Sequence, residues 1–462
     1  MRTLIKGGTV VTANETMAAD VLVDGERVAA LGTDLGVEAD RVIDAGGRLV
    51  MPGGIDVHTH MEMPFGGTFS SDDFGTGTAA AAWGGTTTIV DFAVPDFGES
   101  LQGAVRRWQD KAGPKAHVDY GFHVIVREVN ELTLADMDSL VNQGVTSFKL
   151  FMAYPGVFMV DDASLFRAMS RSSDNGALIM LHAENGGPID VLVERYLAEG
   201  RTDPVNHGLT RPSSMEGEAT HRAIRLADLA GVSVYIVHLS STDALNAVRE
   251  ARDSGVSAMA ETCPQYLFLS MDDLARPDFE GAKYVCSPPL RTKPHQGELW
   301  TGLRSDDLQL VATDHCPFHF KDQKQAGRGN FAKIPNGLPG VEDRYTLLYD
   351  GGVRAGEISL NRFVELVATA PAKLFGLYPR KGTIAPGSDA DIVVFDPETE
   401  RVLSASTHHM NVDYSCYEGR SVHGVPEVVM QRGNLLVDHG KFLGQPGQGQ
   451  FLTRSRSGVG GA

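Results

Sequence analysis

His58 and His60 stand two residues apart at the end of an apolar run, residues 49–58. In an extended strand, residues i and i+2 point to the same face, so two imidazoles placed this way can share one ion. A lone histidine at a strand end is more often a structural hydrogen-bonding group. Three further apolar runs also end in a ligand-type side chain, however: 177–182 in His182, 232–238 in His238 and 308–314 in Asp314. Imidazole and carboxylate are the donors that zinc-like divalent ions accept. Lys149 is the anomaly. It lies inside the apolar run 147–151, where burying an ammonium is costly and lowers its pKa. A salt bridge to a carboxylate is the usual resolution. The other is chemical: a neutral amine adds carbon dioxide and becomes a carbamate, an oxygen anion able to bridge two cations. A cationic lysine facing four histidines and an aspartate would repel the ions they collect, so the carbamate is the favoured reading. His315 and His319, close to Asp314, are candidates to support the ligands, whereas His408 and His409, in a polar stretch, read as solvent-facing.

These residues meet only if the fold gathers strand ends. Eight strand-like runs span residues 49–58, 86–92, 118–126, 147–151, 177–182, 232–238, 256–261 and 308–314, and between most of them lie helix-like stretches such as 73–83, 100–111, 132–141, 161–173 and 216–229. Near-continuous apolar strands alternating with helices mean parallel strands buried on both faces. Eight of them predict a (β/α)8 barrel, with its active site at the C-terminal strand ends. The flanks have a different texture. Residues 3–12, 20–31 and 41–49, and again 383–395, 400–405 and 425–437, are short β-like runs separated by Gly-containing turns. The expected organisation is a discontinuous β-sandwich from residues 1–50 and 379–445, a metal-dependent barrel over 51–378, and a loose Gly/Ser/Gln-rich tail over 446–462.

Composition narrows the function. Of the 462 residues, 41 are Lys or Arg and 59 are Asp or Glu, a net charge of −18. That argues against a nucleic-acid or anionic-membrane partner, both of which need a basic footprint. The chain has neither an 18-residue apolar run nor a secretory-type N-terminus. Its four cysteines form no CxxC pair and read as reduced thiols of a cytoplasmic protein.

Taken together, the chain resembles the amidohydrolase superfamily and, within it, the dihydropyrimidinase/hydantoinase family. The motifs are residues 51–60 (MPGGIDVHTH), 147–154 (SFKLFMAY), 182–185 (HAEN), 237–241 (VHLSS), 286–291 (CSPPLR), 312–318 (ATDHCPF) and 334–343 (IPNGLPGVED). The resemblance spans essentially the whole chain. It implies two divalent ions, with zinc the expected metal, although manganese or cobalt would fit the same donors. One ion would be held by His58, His60 and Asp314 and the other by His182 and His238, with carboxylated Lys149 bridging both. It also implies a homotetramer, an oxyanion-stabilising Tyr154, and substrate-amide contacts at Ser287 and Asn336, largely through backbone atoms. Pro155-Gly156 follow Tyr154 where a lysine is expected, which bears on the adjoining loop. Dihydroorotases place an arginine just after the His-x-His, where this chain has Met61-Glu62-Met63, and allantoinases lack the FMAY tyrosine. Non-catalytic scaffold relatives have lost metal ligands, all of which are present here.

The implied reaction opens a cyclic ureide or imide. Two metals sharing a hydroxide would generate the nucleophile near neutral pH, with Asp314 moving the proton from it to the leaving ring nitrogen. Met63, Phe65, Phe151 and Phe158 fall where the family's substituent pocket lies, and no Arg or Lys stands among them to pair with an anion. Ordinary rim packing is the bland alternative for each. As a set they favour 5-monosubstituted hydantoins, with dihydropyrimidines also opened, and allantoin as the alternative substrate.

Overall fold

The computed structural model describes residues 1–457. Eight parallel strands follow one another around a sheet in chain order: Gly54–Thr59, Thr86–Ala93, Asp119–Ile125, Ser147–Phe151, Leu178–His182, Val234–Ile236, Ala258–Thr262 and Leu310–Val311. A parallel bridge between Thr59 and His315 joins the last segment to the first, and the His60 N–H donates to the His315 carbonyl at 2.9 Å. Every residue of these strands is buried, as expected where helices cover a barrel's outer face. The helices begin where the sequence supplies caps: the side chains of Asp73, Ser100, Asn130, Asp161 and Ser241 accept backbone N–H groups at five helix starts.

The first apolar run does not form one strand. Leu49–Pro52 belongs to a different sheet, and the barrel strand starts at Gly54. The break falls at Gly53, whose N–H donates to the Asp391 carbonyl and where a Cβ would lie 2.2 Å from Thr87 Oγ1. The second sheet draws on both ends of the chain. Arg2–Val11, Thr16–Asp24, Arg27–Gly32, Arg41–Asp44 and Leu49–Pro52 join Ile392–Val402, Ser421–Gln431, Asn434–Asp438 and Lys441–Phe442. Leu49–Pro52 is the seam, parallel to Arg2–Val11 and antiparallel to Ile392–Val402. Ile5, Val10, Val21, Val50, Ile392, Val394 and Val428 form this sheet's own apolar core, separate from that of the barrel. The architecture is therefore a TIM-like (β/α)8 barrel with an additional sheet domain.

Lys381 pins the two parts together. Its fully buried Nζ lies 2.6 Å from Asp119 on a barrel strand, 3.1 Å from Asp389 and 2.7 Å from Asp391. Burial opposes its charge, but the three carboxylates outweigh burial and hold its pKa above the usual lysine value. The tail departs from expectation over residues 446–457. Gly449 N donates to Ala116 O, Leu452 N to Tyr120 O, and Arg454 Nη2 to Phe122 O and Ser147 Oγ at 2.6 and 2.8 Å. Phe451 and Leu452 supply apolar anchors that the Gly/Ser/Gln composition conceals, and the tail satisfies open backbone groups at the start of the third barrel strand. The expectation for 458–462 lies outside the described residues. Among the described residues, no helix is long and apolar enough to cross a membrane.

Candidate metal centre and active site

The C-terminal strand ends bring the ligand candidates together. His58 Nε2 and His60 Nε2 lie 3.1 and 3.2 Å from Asp314 Oδ1. Lys149 Nζ lies 3.0 Å from His58 Nε2, above the ring of Phe92. His182 Nδ1 and His238 Nε2 are 3.0 Å apart. Two backbone features aim these groups. Asp56, beneath His58, accepts from the His58 and Thr313 N–H groups and from Thr313 Oγ1, tying the first strand to the last. Tyr154, His238 and Asp314 all take left-handed backbone conformations, with φ of +65°, +40° and +52°. Such a conformation costs a non-glycine residue about 1–3 kcal/mol and gathers where function requires a particular side-chain direction.

The arrangement fits a divalent metal centre. His182 Nε2 is held by Glu184 at 2.8 Å, and with Glu184 as acceptor the Nδ1 atom carries a lone pair towards His238. His58 Nδ1 is held by Glu261, which leaves its Nε2 turned to Asp314 Oδ1. Ring nitrogens that meet a neighbouring donor atom at about 3 Å can present lone pairs to a shared cation. The other ring nitrogens of His60 and His238, both Nδ1, are buried without a hydrogen-bond partner among the described residues. His58, His60 and Asp314 also satisfy the spacing of a three-ligand metal group. Burial lowers the pKa of His58, His60 and His238, which keeps the imidazoles neutral as ligands must be. Burial brings Lys149 down to about 8, close enough to neutrality for its free amine to be populated.

Glu261 was not singled out from the sequence, although the seventh apolar run ends on it. Its carboxylate faces His58 Nδ1, the Tyr235 hydroxyl at 2.8 Å and the His238 N–H at 3.1 Å. It thus touches one histidine from each ligand pair. The signal was available: a carboxylate closing an apolar strand is the same anomaly as Lys149. Among the described residues, the His315 ring bonds no ligand side chain: its Nε2 lies on Asp72 and its Nδ1 accepts from the Gly340 and Val341 N–H groups. His319 is instead turned towards Asp413, 3.8 Å away. His409 departs from its solvent-facing expectation on one side: its ring stacks on Trp83 at 4.0 Å and bonds Glu342.

Opposite the ligands, Tyr154 OH and Ser287 Oγ lie 3.4 and 3.1 Å from Asn336 Nδ2. Burial raises the Tyr154 phenol to about 12, so it remains a proton donor at neutral pH. One cavity is lined by His60, Lys149, His182, His238 and Asp314 together with Met63, Phe65, Phe151, Tyr154, Phe158, Ser287 and Asn336. His58 lies immediately beneath. Cys316 and Gly337, not anticipated from the sequence, complete the wall.

An amidohydrolase family model matches residues 49–436. The chain is 58% identical to the D-hydantoinase of Streptomyces coelicolor, covering 98% of each protein. It superposes on the crystal structure of dihydropyrimidinase from Brevibacillus agri with a TM-score of 0.98, at 54% identity over 99% of both chains. L-hydantoinase (dihydropyrimidinase) from Arthrobacter aurescens is more distant, with a TM-score of 0.89 and 32% identity over 98% of this chain and 99% of that one.

Proposed function

The chain belongs to the amidohydrolase family, in its hydantoinase and dihydropyrimidinase branch, and from that membership we propose that it opens 5-monosubstituted hydantoins and 5,6-dihydropyrimidines to N-carbamoyl amino acids. Its site would hold two zinc ions, one on His58, His60 and Asp314, the other on His182 and His238, with Lys149 between them. When bound, such a pair supplies an activated water near neutral pH and polarises the scissile carbonyl. Lys149 would act as a carbamate: its neutral amine forms an N–C bond to carbon dioxide and releases a proton, leaving a carboxylate-like anion. Asp314 takes the proton of the attacking water and returns it to the ring nitrogen as the C–N bond breaks. Tyr154 donates its O–H to the carbonyl oxygen as negative charge develops there. Ser287 and Asn336 hold the rest of the ring's amide edge, and Met63, Phe65, Phe151 and Phe158 face its substituent.

We read residues 1–50 with 379–445 as the sheet domain, its seam strand running on to Pro52, and the residues from there to 378 as the catalytic barrel, in a cytoplasmic homotetramer. The observation that carries the catalytic reading is the convergence of neutral imidazoles, Asp314 and Lys149 at the strand ends opposite Tyr154. The test is a comparison of kcat/KM for a 5-aryl hydantoin, dihydrouracil, allantoin and dihydroorotate on metal-loaded protein, alongside its metal content. Allantoin or dihydroorotate as the preferred substrate overturns the substrate assignment. Absence of bound metal with no turnover would point to a scaffold protein.

A further inference from the structure

Lys324 is fully buried, and among the described residues no carboxylate stands against it. Its Nζ donates to three backbone carbonyls: Val285 at 3.0 Å, Pro335 at 2.8 Å and Gly337 at 2.9 Å. An ammonium has three donors, and all are spent on neutral acceptors. A buried cation without an anion is an expensive way to satisfy three carbonyls, which directs attention to where those carbonyls lie. Two flank Asn336. The third stands two residues before Ser287. Gly337 N also donates to Val285 O at 3.0 Å, closing the same junction. Gly337 itself admits no side chain, since a Cβ there would lie 2.2 Å from the Cys316 carbonyl. Successive residues of an extended segment turn their peptide groups to opposite sides. With residues 335 and 337 turned to Lys324, the N–H and C=O of Asn336 are left facing the cavity that Asn336 lines. Among the described residues, the backbone groups of Asn336 and Ser287 take no protein partner.

We propose that Lys324 is a positioning residue for substrate: it clamps the two loops that carry Ser287 and Asn336 and so fixes the spacing at which their free backbone groups meet the –CO–NH– edge of the ring. This rests on the reading above that Ser287 and Asn336 hold that edge. The test uses Lys324→Met in the metal-loaded holoenzyme, with KM and kcat measured for a hydantoin and for the same ring methylated at the nitrogen that is not cleaved. In the wild-type protein, methylation should raise KM by about tenfold, the size of one well-made hydrogen bond. In Lys324→Met, KM for the unmethylated ring should rise by about the same factor and the penalty for methylation should shrink, with metal content and circular dichroism unchanged and kcat less affected. A wild-type protein indifferent to methylation would overturn the Ser287/Asn336 reading. Normal discrimination and normal KM in Lys324→Met would overturn the role of Lys324 alone. Lys324→Gln, which keeps two of the three donors, decides the matter if the Met variant does not fold: its KM should lie between those of wild type and a full loss, and a wild-type KM with the methylation penalty intact overturns the proposal.

Discussion

Lys149 Nζ lies 3.0 Å from His58 Nε2, with His58 Nδ1 already taken by Glu261. A lysine amine and an imidazole lone pair at this distance form an adequate hydrogen bond, but they would crowd any ion bound to His58. The carbamate removes that conflict by replacing a positive donor with an anionic ligand. Intact-mass measurement under native conditions should therefore show an adduct of one carbon dioxide per chain, lost on acid denaturation. Lys149→Ala should lose turnover and most bound metal. Two tightly held ions in that variant would remove Lys149 from the centre.

Glu261 joins the two ligand pairs through one carboxylate, touching the ring of His58 and the backbone of His238. Glu261→Gln keeps the volume but replaces one carboxyl oxygen with an amide NH2, so it can no longer meet all three partners through oxygen. Partners that orient metal-bound histidines typically contribute about 10–100-fold to metal affinity, and a loss of that size is expected in competition with a chelator. Unaltered metal affinity would reduce Glu261 to a core group.

How much of this the sequence revealed depended on whether a residue's position or its environment carried the signal. His58, His182, His238 and Asp314 were legible because each closes an apolar run, His60 because it stands two residues beyond His58, and strand ends converge in a barrel. Lys149 was legible because a charge in an apolar strand needs a reason. Glu261 meets both criteria, a carboxylate at the end of an apolar run. Lys324 was out of reach: its partners lie on a loop 39 residues away and around Asn336, and nothing local distinguishes it from a surface lysine. The packed tail was hidden in the same way, because Phe451 and Arg454 act through contacts with residues 120–147.

Tyr154 should behave as a transition-state donor. Tyr154→Phe is expected to lower kcat and kcat/KM together by roughly 10²–10³, the range found when one oxyanion donor is removed. Because burial raises the phenol to about 12, it is protonated at every pH well below that value, and the pH profile of the wild-type enzyme should show no alkaline limb from Tyr154 below about pH 11. A fall confined to KM would assign Tyr154 to ground-state binding.

Lys381 provides a prediction about the fold rather than the chemistry. Lys381→Met leaves Asp119, Asp389 and Asp391 buried around a methyl group, with Arg432 still pairing Asp119. Removing one partner of a buried charge cluster costs about 3–5 kcal/mol. Urea unfolding followed by tryptophan fluorescence should register a loss of that order at pH 7. A change below about 1 kcal/mol, as for exposed pairs, would mean that the junction is held by other contacts.

The substituent pocket divides into a firm wall and a yielding one, and that division sets the last prediction. Phe158 is buried, stacks on Phe151 with ring centroids 4.9 Å apart, and carries the Arg127 guanidinium 4.5 Å from its ring centroid. Phe65 is only half-buried, on a short hairpin formed by Pro64–Phe65 and Thr68–Phe69, and meets Tyr154 edge-on at 5.7 Å. Phe65→Ala should thus leave stability nearly intact and enlarge the space for the group on the ring carbon. Preference should shift towards bulkier 5-substituents, while dihydrouracil, which has none, is affected less. Phe158→Ala should shift preference too, but with a stability loss of about 3–5 kcal/mol, as for a buried aromatic truncated to alanine. Among the described residues, the cavity lining includes no arginine, and its one lysine is Lys149, so nothing in it pairs with the carboxylate of dihydroorotate. The measurement is kcat/KM across alkyl and aryl hydantoins, dihydrouracil and dihydroorotate for wild type and both variants. A tenfold change in relative preference, about 1.4 kcal/mol of transition-state discrimination, is within reach of one removed ring. Equal losses on every substrate would mean that Phe65 only braces its hairpin and Tyr154 and that selection of the substituent lies elsewhere.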